Sequence, residues 1–404
     1  MNLRALTATG HWPTLTAAFL YFDVSFMVWV LLGPLAVHIS KDLGLSAAQK
    51  GMMVAIPVLV GALLRVVMGL MVDHIGAKRT GLIGQIVVLG ALAWAWLTPL
   101  DRIGDIYLLG TLLGVAGASF AVALPLASRW YPPEHQGLAL GIAGAGNSGT
   151  VFAALLAPGL ANLYGWQPVF GLALMPLGLV LVLYLFMAKE PPQRPAPQRL
   201  AQYFSVLRDP DTWWFMFFYA VTFGGFVGLA SSLVIYFNDQ YGLSPVTAGF
   251  FTAACVFAGS MMRPIGGGVA DRLGGVRTLS ALYLTAAACF VVVSFAPASR
   301  WVALALFVLG MMALGMGNGA VFQLVPQRFR REIGVITGLV GMAGGLGGFY
   351  LAASLGWSRQ WTESYQSGLL LFAALAVLAL IGLTGVKRRW RTTWGSSSVT
   401  AARI

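Results

Sequence analysis

The segment GALLRVVMGLMVDHIGAKRT, residues 61–80, occurs twice in this chain in a recognisable form. Its second copy, GSMMRPIGGGVADRLGGVRT, residues 259–278, aligns without gaps at an offset of 198 residues. Each copy holds an arginine inside an apolar run, Arg65 or Arg263, followed by an Asp-x-x-Gly-x-x-Arg pattern. This repetition predicts that the chain is built from two homologous halves.

The composition around these segments is typical of a membrane protein. Of 404 residues, 58% are hydrophobic and 9% are charged, whereas about a quarter of the residues are charged in an ordinary soluble domain. A helix needs about 20 apolar residues to cross the hydrocarbon core, and runs of this kind predict an all-α integral membrane fold with twelve spanning helices. These runs lie near residues 14–38, 49–72, 79–100, 104–128, 137–160, 165–188, 212–238, 247–270, 277–297, 300–324, 332–355 and 366–386.

The predicted organisation is two pseudo-symmetric six-helix bundles joined by a linker. The stretch AKEPPQRPAPQRLAQYFSVLRDPD, residues 188–211, is rich in proline and arginine, as linkers often are. The N-terminal residues show no signal-peptide cleavage pattern, so the first apolar run is expected to remain as a spanning helix. The predicted boundaries are 1–188 for the N-terminal half, 189–211 for a cytoplasmic linker, 212–386 for the C-terminal half and 387–404 for a basic cytoplasmic tail.

The distribution of lysine and arginine predicts the orientation. Of the 25 such residues, five fall in loops on one side, two lie within spans, and the remaining eighteen fall on the other side with both termini. Because cytoplasmic loops collect Lys and Arg, both termini are expected on the cytoplasmic side of the inner membrane. Anionic lipid headgroups then account for the net charge of +12, with no nucleic-acid partner.

Arg65 and Arg263 are the two cations within the predicted spans. Arg65 lies eight residues before Asp73 at the helix end, on the order of 12 Å deep, where a charged residue costs at least ~2.5 to 3.5 kcal/mol. Of the 13 carboxylates, only Asp23 lies well inside a span. This excess of positive charge favours an anionic substrate, because the planar guanidinium donates paired hydrogen bonds to flat oxyanions. The alternative is that the arginines only bond backbone carbonyls or Asp23.

The charged residues after each arginine are predicted to gate the transport path. Asp73 and Arg79 recur as Asp271 and Arg277 at the same spacing. At helix ends such charges can pair with basic neighbours or a helix dipole in one conformation and release in another. The alternative is that they are solvated loop charges.

Longer stretches carry a resemblance to a known family. Two six-helix halves with these motifs resemble the major facilitator superfamily. Residues 114–149, GVAGASFAVALPLASRWYPPEHQGLALGIAGAGNSG, resemble the nitrate signature of its nitrate/nitrite porter family, and residues 331–351, REIGVITGLVGMAGGLGGFYL, resemble the second-half partner of that signature. The resemblance implies the major facilitator fold and secondary transport of nitrate or nitrite by alternating access, without enzymatic activity.

The resemblance also assigns substrate-binding residues. A helix 2 and a helix 8 arginine clamp the anion in that family, which implies this role for Arg65 and Arg263. The family's amide donor and aromatic walls match Asn147, Tyr219, Phe26, Phe120 and Phe223. The alternatives are that Asn147 bonds a neighbouring helix backbone and that the phenylalanines only pack helices together.

Asp23 is the predicted proton-coupling residue, because carboxylates within the membrane commonly carry protons in transporters. If Asp23 is protonated with each uptake event, the mechanism is nitrate/proton symport. The alternative for Asp23 is a permanent salt bridge to an arginine. The alternative mechanism is nitrate/nitrite antiport, in which no side chain needs to titrate.

Other chemistry is not indicated by the sequence. Cys255 and Cys289 have no metal or redox spacing, and no phosphate-binding loop points to ATP. We therefore expect no metal or cofactor, and a monomer whose partners are the anion, protons and the lipid bilayer. A carrier of another small anion and a non-transporting membrane sensor are the remaining functional alternatives.

Overall fold

The computed structural model describes residues 9–191, 201, 205–329 and 332–393. Every regular element in these ranges is a helix, and 12 helices are long and apolar enough to cross a membrane, so the predicted fold class is confirmed. The spanning helices are α1 Trp12–Leu43, α2 Ala47–Ile75, α3 Ala77–Leu97, α4 Ile103–Ser128, α5 Ala139–Tyr164, α6 Trp166–Met187, α7 Pro210–Tyr241, α8 Pro245–Leu273, α9 Gly275–Ser294, α10 Arg300–Arg328, α11 Ile333–Thr362 and α12 Gln366–Thr393.

The outer surface of the bundle is apolar. Phe186 of α6 is 80% exposed and Leu163 of α5 is 75% exposed. Exposed apolar surface on this scale is unfavourable in water and is expected for side chains that face lipid. We call the end of the bundle where α6 ends and α7 begins the linker end, and the opposite end the far end. Most of the predicted linker, 189–211, lies outside the described residues.

α1 is interrupted near its middle. Trp12–Trp29 is followed by a second helical piece, Leu32–Leu43. Pro34 has no N–H to donate to the carbonyl of Val30 four residues earlier. Gly33 donates to that carbonyl instead, at 2.9 Å, which tightens the turn and redirects the chain.

α4 is interrupted beside the predicted arginine of α2. The break falls at Ala118 and Ser119, directly after Gly117, whose carbonyl accepts from Nε of Arg65 at 3.3 Å. In a regular helix the N–H of Ala121 would donate to the carbonyl of Gly117. Here it donates to the carbonyl of Ala118 instead. The break in α4 therefore lies at the carbonyl that Arg65, a predicted site residue, contacts.

The halves meet through pairs of helices that correspond under the repeat. α2 packs along α11, and α8 packs along α5. Glycines permit the close approach: Gly345 of α11 faces Ala62 of α2, and Gly249 of α8 faces the backbone of Ala154 in α5. Since the two predicted site arginines lie on α2 and α8, both are positioned at the interface between the halves.

The last helix extends past its predicted end at residue 386. α12 runs to Thr393, so the first residues of the predicted basic tail, 387–404, continue the helix. Arg389 and Trp390 both donate to the carboxylate of Asp211 at the start of α7, Trp390 at 2.7 Å. These partners lie far away in the sequence, and residues 394–404 lie outside the described part of the chain.

Candidate functional site

A cavity of about 830 Å³ opens between the halves toward the linker end. Its inner end is lined by Arg65, Phe120 and Arg263, and its mouth by Asp73 and Asp271. Such a volume would accommodate a drug-sized molecule and is far larger than an ion of a few atoms. The cavity is therefore a vestibule, and only its inner end has the dimensions of a small-ion site.

Arg65 is almost fully buried, with 1% of its surface exposed. Its Nε donates to the carbonyl of Gly117 in α4, and its Nη1 donates to the carbonyl of Gly341 in α11 at 2.5 Å. The backbone-bonding alternative thus holds for two nitrogens. The third, Nη2, is buried and has no partner in the described structure, so one donor of the guanidinium remains available.

Arg263 approaches the same aromatic ring as Arg65. The ring of Phe120 is 5.2 Å from Cζ of Arg65 and 5.9 Å from Cζ of Arg263. Within the described ranges neither arginine forms a salt bridge, and Nη1 of Arg263 is buried without a hydrogen-bond partner. The inner end of the cavity therefore carries two unneutralised positive charges.

Aromatic side chains from α7 and α10 enclose this charge. Phe223 lies 4.9 Å from Cζ of Arg65 and stacks on Tyr219 with 5.2 Å between ring centroids. Phe322 of α10, which sequence reasoning did not single out, meets Tyr219 edge-on at 5.0 Å and Phe120 at 6.4 Å. These apolar walls limit water around the guanidiniums and strengthen their attraction for an anion.

Asn147 lies in α5 just after Gly144 and Ala145, which line the cavity, and does not line it itself. A short 3₁₀ turn, Ala145–Ser148, carries it, and the side chain is 1% exposed. Neither amide atom has a hydrogen-bond partner among the described residues, so the predicted alternative of a bond to a neighbouring backbone is not observed. A buried amide without partners retains its full capacity to bind a ligand.

Phe26 belongs to an aromatic cluster of α1. It is fully buried and packs between Phe22 at 4.3 Å and Trp29 at 4.7 Å, and it does not line the cavity. The helix 1 side chain that meets the charge is Trp29, 5.6 Å from Cζ of Arg65. Phe26 thus supports this tryptophan from behind.

Asp23 lies beside Asn147 but away from the arginines. Its Oδ1 accepts a hydrogen bond from the hydroxyl of Ser148 at 2.7 Å. No salt bridge of Asp23 occurs between described residues, so the alternative of a permanent ion pair with an arginine is not observed. The carboxyl is 8% exposed and thus largely enclosed by protein.

At the linker end, the predicted gating residues differ between the halves. Asp73 accepts from Nη2 of Arg129 at the end of α4, at 2.9 Å, a partner that sequence reasoning missed. Arg79, Asp271 and Arg277 are exposed and form no ion pair with any other described residue. The linker-end ion pair at Asp73 therefore joins two helices of one half and leaves the cavity open.

At the far end, contacts between the halves close the path. Nζ of Lys50 in α2 lies 2.8 Å from Oδ2 of Asp239 in α7, and Tyr365 donates to the same oxygen at 2.8 Å. Beside them, α2 and α11 approach closely at Gly51 and Gly356. The cavity is therefore open at the linker end and closed at the far end.

Comparison with known proteins identifies similar chains. The family model of the Major Facilitator Superfamily matches residues 17–352. A nitrite extrusion protein of Bacillus subtilis (strain 168) is 31% identical over 360 residues, covering 88% of this chain and 89% of that protein. A probable nitrate/nitrite transporter of Mycobacterium tuberculosis is 34% identical over 362 residues, covering 88% and 91%.

Solved structures share the architecture. A bacterial homolog to the human lysosomal transporter Spinster, in an inward-facing and occupied conformation, has a TM-score of 0.71 at 19% identity, covering 95% of this chain and 98% of that one. At this level of identity, the likeness concerns the fold alone.

Proposed function

This chain belongs to the nitrate/nitrite porter family of the major facilitator superfamily, and on that premise we propose that it carries nitrate or nitrite across the cell membrane. As a member of this family it is a transporter and not an enzyme. The observation that carries the proposal is the inner end of the cavity, where Arg65 and Arg263 approach one aromatic ring and no carboxylate of the described residues pairs with either of them. A small planar anion supplies the missing negative charge.

In this proposal the anion is held between the halves. Nη2 of Arg65 and Nη1 of Arg263 donate to its oxygens, since both are buried and unpartnered. Asn147 adds an amide donor, and the hydroxyl of Tyr219, also unpartnered, adds another. Because the donors come from both halves, a bound anion draws the halves together and favours closure of the linker end.

The proposed orientation places the linker end in the cytoplasm. Most lysines and arginines of the loops and termini lie at this end, as the positive-inside rule requires. The state seen here is then inward-open, with Asp73 and Asp271 at its cytoplasmic mouth and Arg79 and Arg277 in the first turns of α3 and α9. We propose that these charges change partners as the mouth closes.

For coupling, we propose nitrate/proton symport with Asp23 as the proton carrier. Its carboxyl is enclosed, has no cationic partner, and is linked through Ser148 to the turn that carries Asn147. Protonation of Asp23 can therefore alter the position of a proposed anion ligand. Nitrate/nitrite antiport is the second candidate.

Transport in proteoliposomes tests these proposals. Loaded with unlabelled nitrite, vesicles containing the protein should accumulate labelled nitrate by counterflow, and an imposed proton gradient should drive uphill uptake. In the Asp23→Asn variant, counterflow should persist and uphill uptake should be lost. The exposed far-end carboxylate Asp101 provides a matched control, Asp101→Asn, which should behave as wild type.

Each other outcome has a distinct meaning. Uphill uptake that survives in Asp23→Asn refutes the role of Asp23, and wild-type counterflow that does not respond to the proton gradient favours antiport. If neither nitrate nor nitrite moves, the substrate assignment is wrong, and the remaining alternatives are another small anion or a sensor without flux.

A further inference from the structure

We propose that Asn318 of α10 is a further substrate-binding residue, whose side-chain amide donates to the anion beside Arg263. This inference rests on the proposed function, because it concerns the same anion. It would give the C-terminal half an amide donor comparable with Asn147 in the N-terminal half.

The first support is the burial of an unsatisfied amide. Asn318 has 0% of its surface exposed. Neither Nδ2 nor Oδ1 has a hydrogen-bond partner in the part of the chain that the structure describes. Burying an amide in this way is unfavourable, and an isosteric leucine would avoid the cost. A ligand that accepts a hydrogen bond from this amide would account for a polar side chain at this position.

Glycine contacts allow α10 of the second half to be compared with α4 of the first half. Gly114 of α4 packs against Gly61 of α2, and Gly315 of α10 packs against Gly259 of α8. Gly61 and Gly259 are counterparts in the sequence repeat. Gly315 therefore occupies a place against α8 comparable with that of Gly114 against α2.

In this comparison, Asn318 corresponds to the residue of the first half that accepts a hydrogen bond from Arg65. Three residues after Gly114 lies Gly117, which accepts from Nε of Arg65. By this comparison, Asn318, three residues after Gly315, is placed toward Arg263 in the second half. Nη1 of Arg263 is also buried and has no partner among the described residues, so this guanidinium and the amide of Asn318 both have donors available for an anion.

The neighbours of Asn318 confirm this direction. Gly317 faces Thr222 of α7, and Gly319 faces the backbone of Arg263 in α8. Successive residues of a helix are rotated by about 100°, so Asn318 projects into the angle between α7 and α8. These two helices carry the tyrosine and the arginine of the proposed site.

The chemistry fits a planar oxyanion. Every oxygen of nitrate or nitrite accepts hydrogen bonds, and the amide nitrogen of Asn318 is a donor. Ser260, one turn before Arg263, lines the cavity and has a buried hydroxyl without a partner. Arg263, Asn318 and Ser260 thus form a set of donors that matches one edge of the ion.

The Asn318→Leu variant tests the proposal, with nitrate as the probe and chloride at equal ionic strength as the reference. A titration of the purified full chain should show nitrate affinity reduced by about tenfold. The Tm of the nitrate-free protein should not fall, because no protein hydrogen bond is lost. The control is Asn162→Leu, which removes a real bond to His38 of 2.7 Å and should lower Tm without changing nitrate affinity.

A second variant, Asn318→Asp, tests the placement beside Arg263. The introduced carboxylate should act as an internal counter-ion, raising the Tm of the empty protein and abolishing nitrate binding. Wild-type nitrate affinity in either variant would overturn the proposal, as would a large fall in Tm for both. Absence of both nitrate and nitrite binding by the wild type would instead refute the proposed function.

Discussion

Arg65 combines two tasks that a lysine cannot perform together. Two of its nitrogens hold backbone carbonyls of Gly117 and Gly341, one in each half, while Nη2 stays free. This arrangement orients the guanidinium plane before any ligand arrives, and such pre-organisation lowers the entropic cost of binding.

The corresponding prediction is that Arg65→Lys keeps the charge but weakens nitrate binding. Lysine donates from a single nitrogen, so it cannot bond both carbonyls and present a planar fork to the anion. Loss of one charge-assisted hydrogen bond, about 1.5–3 kcal/mol, should reduce affinity by roughly one to two orders of magnitude in a nitrate titration. The control is Arg272→Lys, at an exposed position of α8, which should leave nitrate affinity unchanged. Unchanged affinity in Arg65→Lys would mean that Arg65 only stabilises the structure.

The sequence reveals some residues of the site and hides others. Arg65 and Arg263 can be predicted because a buried cation is costly and demands a reason. Trp29 and Phe322 cannot, because aromatic residues are common in apolar helices and nothing in their spacing marks them. The repeat does not point to Phe322 either, because the 198-residue offset pairs Phe120 with Asn318.

At the scale of elements, the lengths of the apolar runs predict where the twelve helices lie. They do not predict where a helix is interrupted or extended. The break in α4 depends on Arg65 taking the carbonyl of Gly117, and the extension of α12 depends on Asp211 holding Arg389 and Trp390. Both involve residues distant in sequence. Local propensity specifies where a helix forms, while long-range polar contacts decide where it bends or ends.

Helix contact at the far end gives a prediction at this scale. A Cβ on Gly356 of α11 would lie 2.7 Å from Cα of Gly51 in α2, so Gly356→Ala should force the two helices apart, at about 1–3 kcal/mol. We expect a lower Tm for the purified protein and slower counterflow. The control is Gly90→Ala in α3, where nothing lies within 4 Å and alanine should be neutral or stabilising. Equal Tm values for the two variants would contradict this account of α2–α11 packing.

For the whole molecule, the ends of the bundle are held by different kinds of contact. At the linker end, Arg129 pairs with Asp73 inside the N-terminal half, and Arg328 pairs with Asp209 inside the C-terminal segment of the chain. At the far end, Lys50 and Asp239 pair across the halves. In the proposed alternating-access cycle, the pair between the halves must break when the far end opens, so its strength contributes directly to the balance between the two end states.

Breaking that pair should therefore shift the conformational equilibrium. Lys50 and Asp239 are only 15% and 16% exposed, and we expect Lys50→Met to cost the closed far end about 1 kcal/mol, roughly a fivefold change in the ratio of states. Distances between spin labels placed across the far end should show a larger open population. The charge-swapped double variant, Lys50→Asp with Asp239→Lys, should restore the closed state, whereas Lys41→Met, at an exposed far-end lysine, should have no effect. If the distances in Lys50→Met match those of the wild type, the glycine contacts between α2 and α11 hold the far end closed without the ion pair.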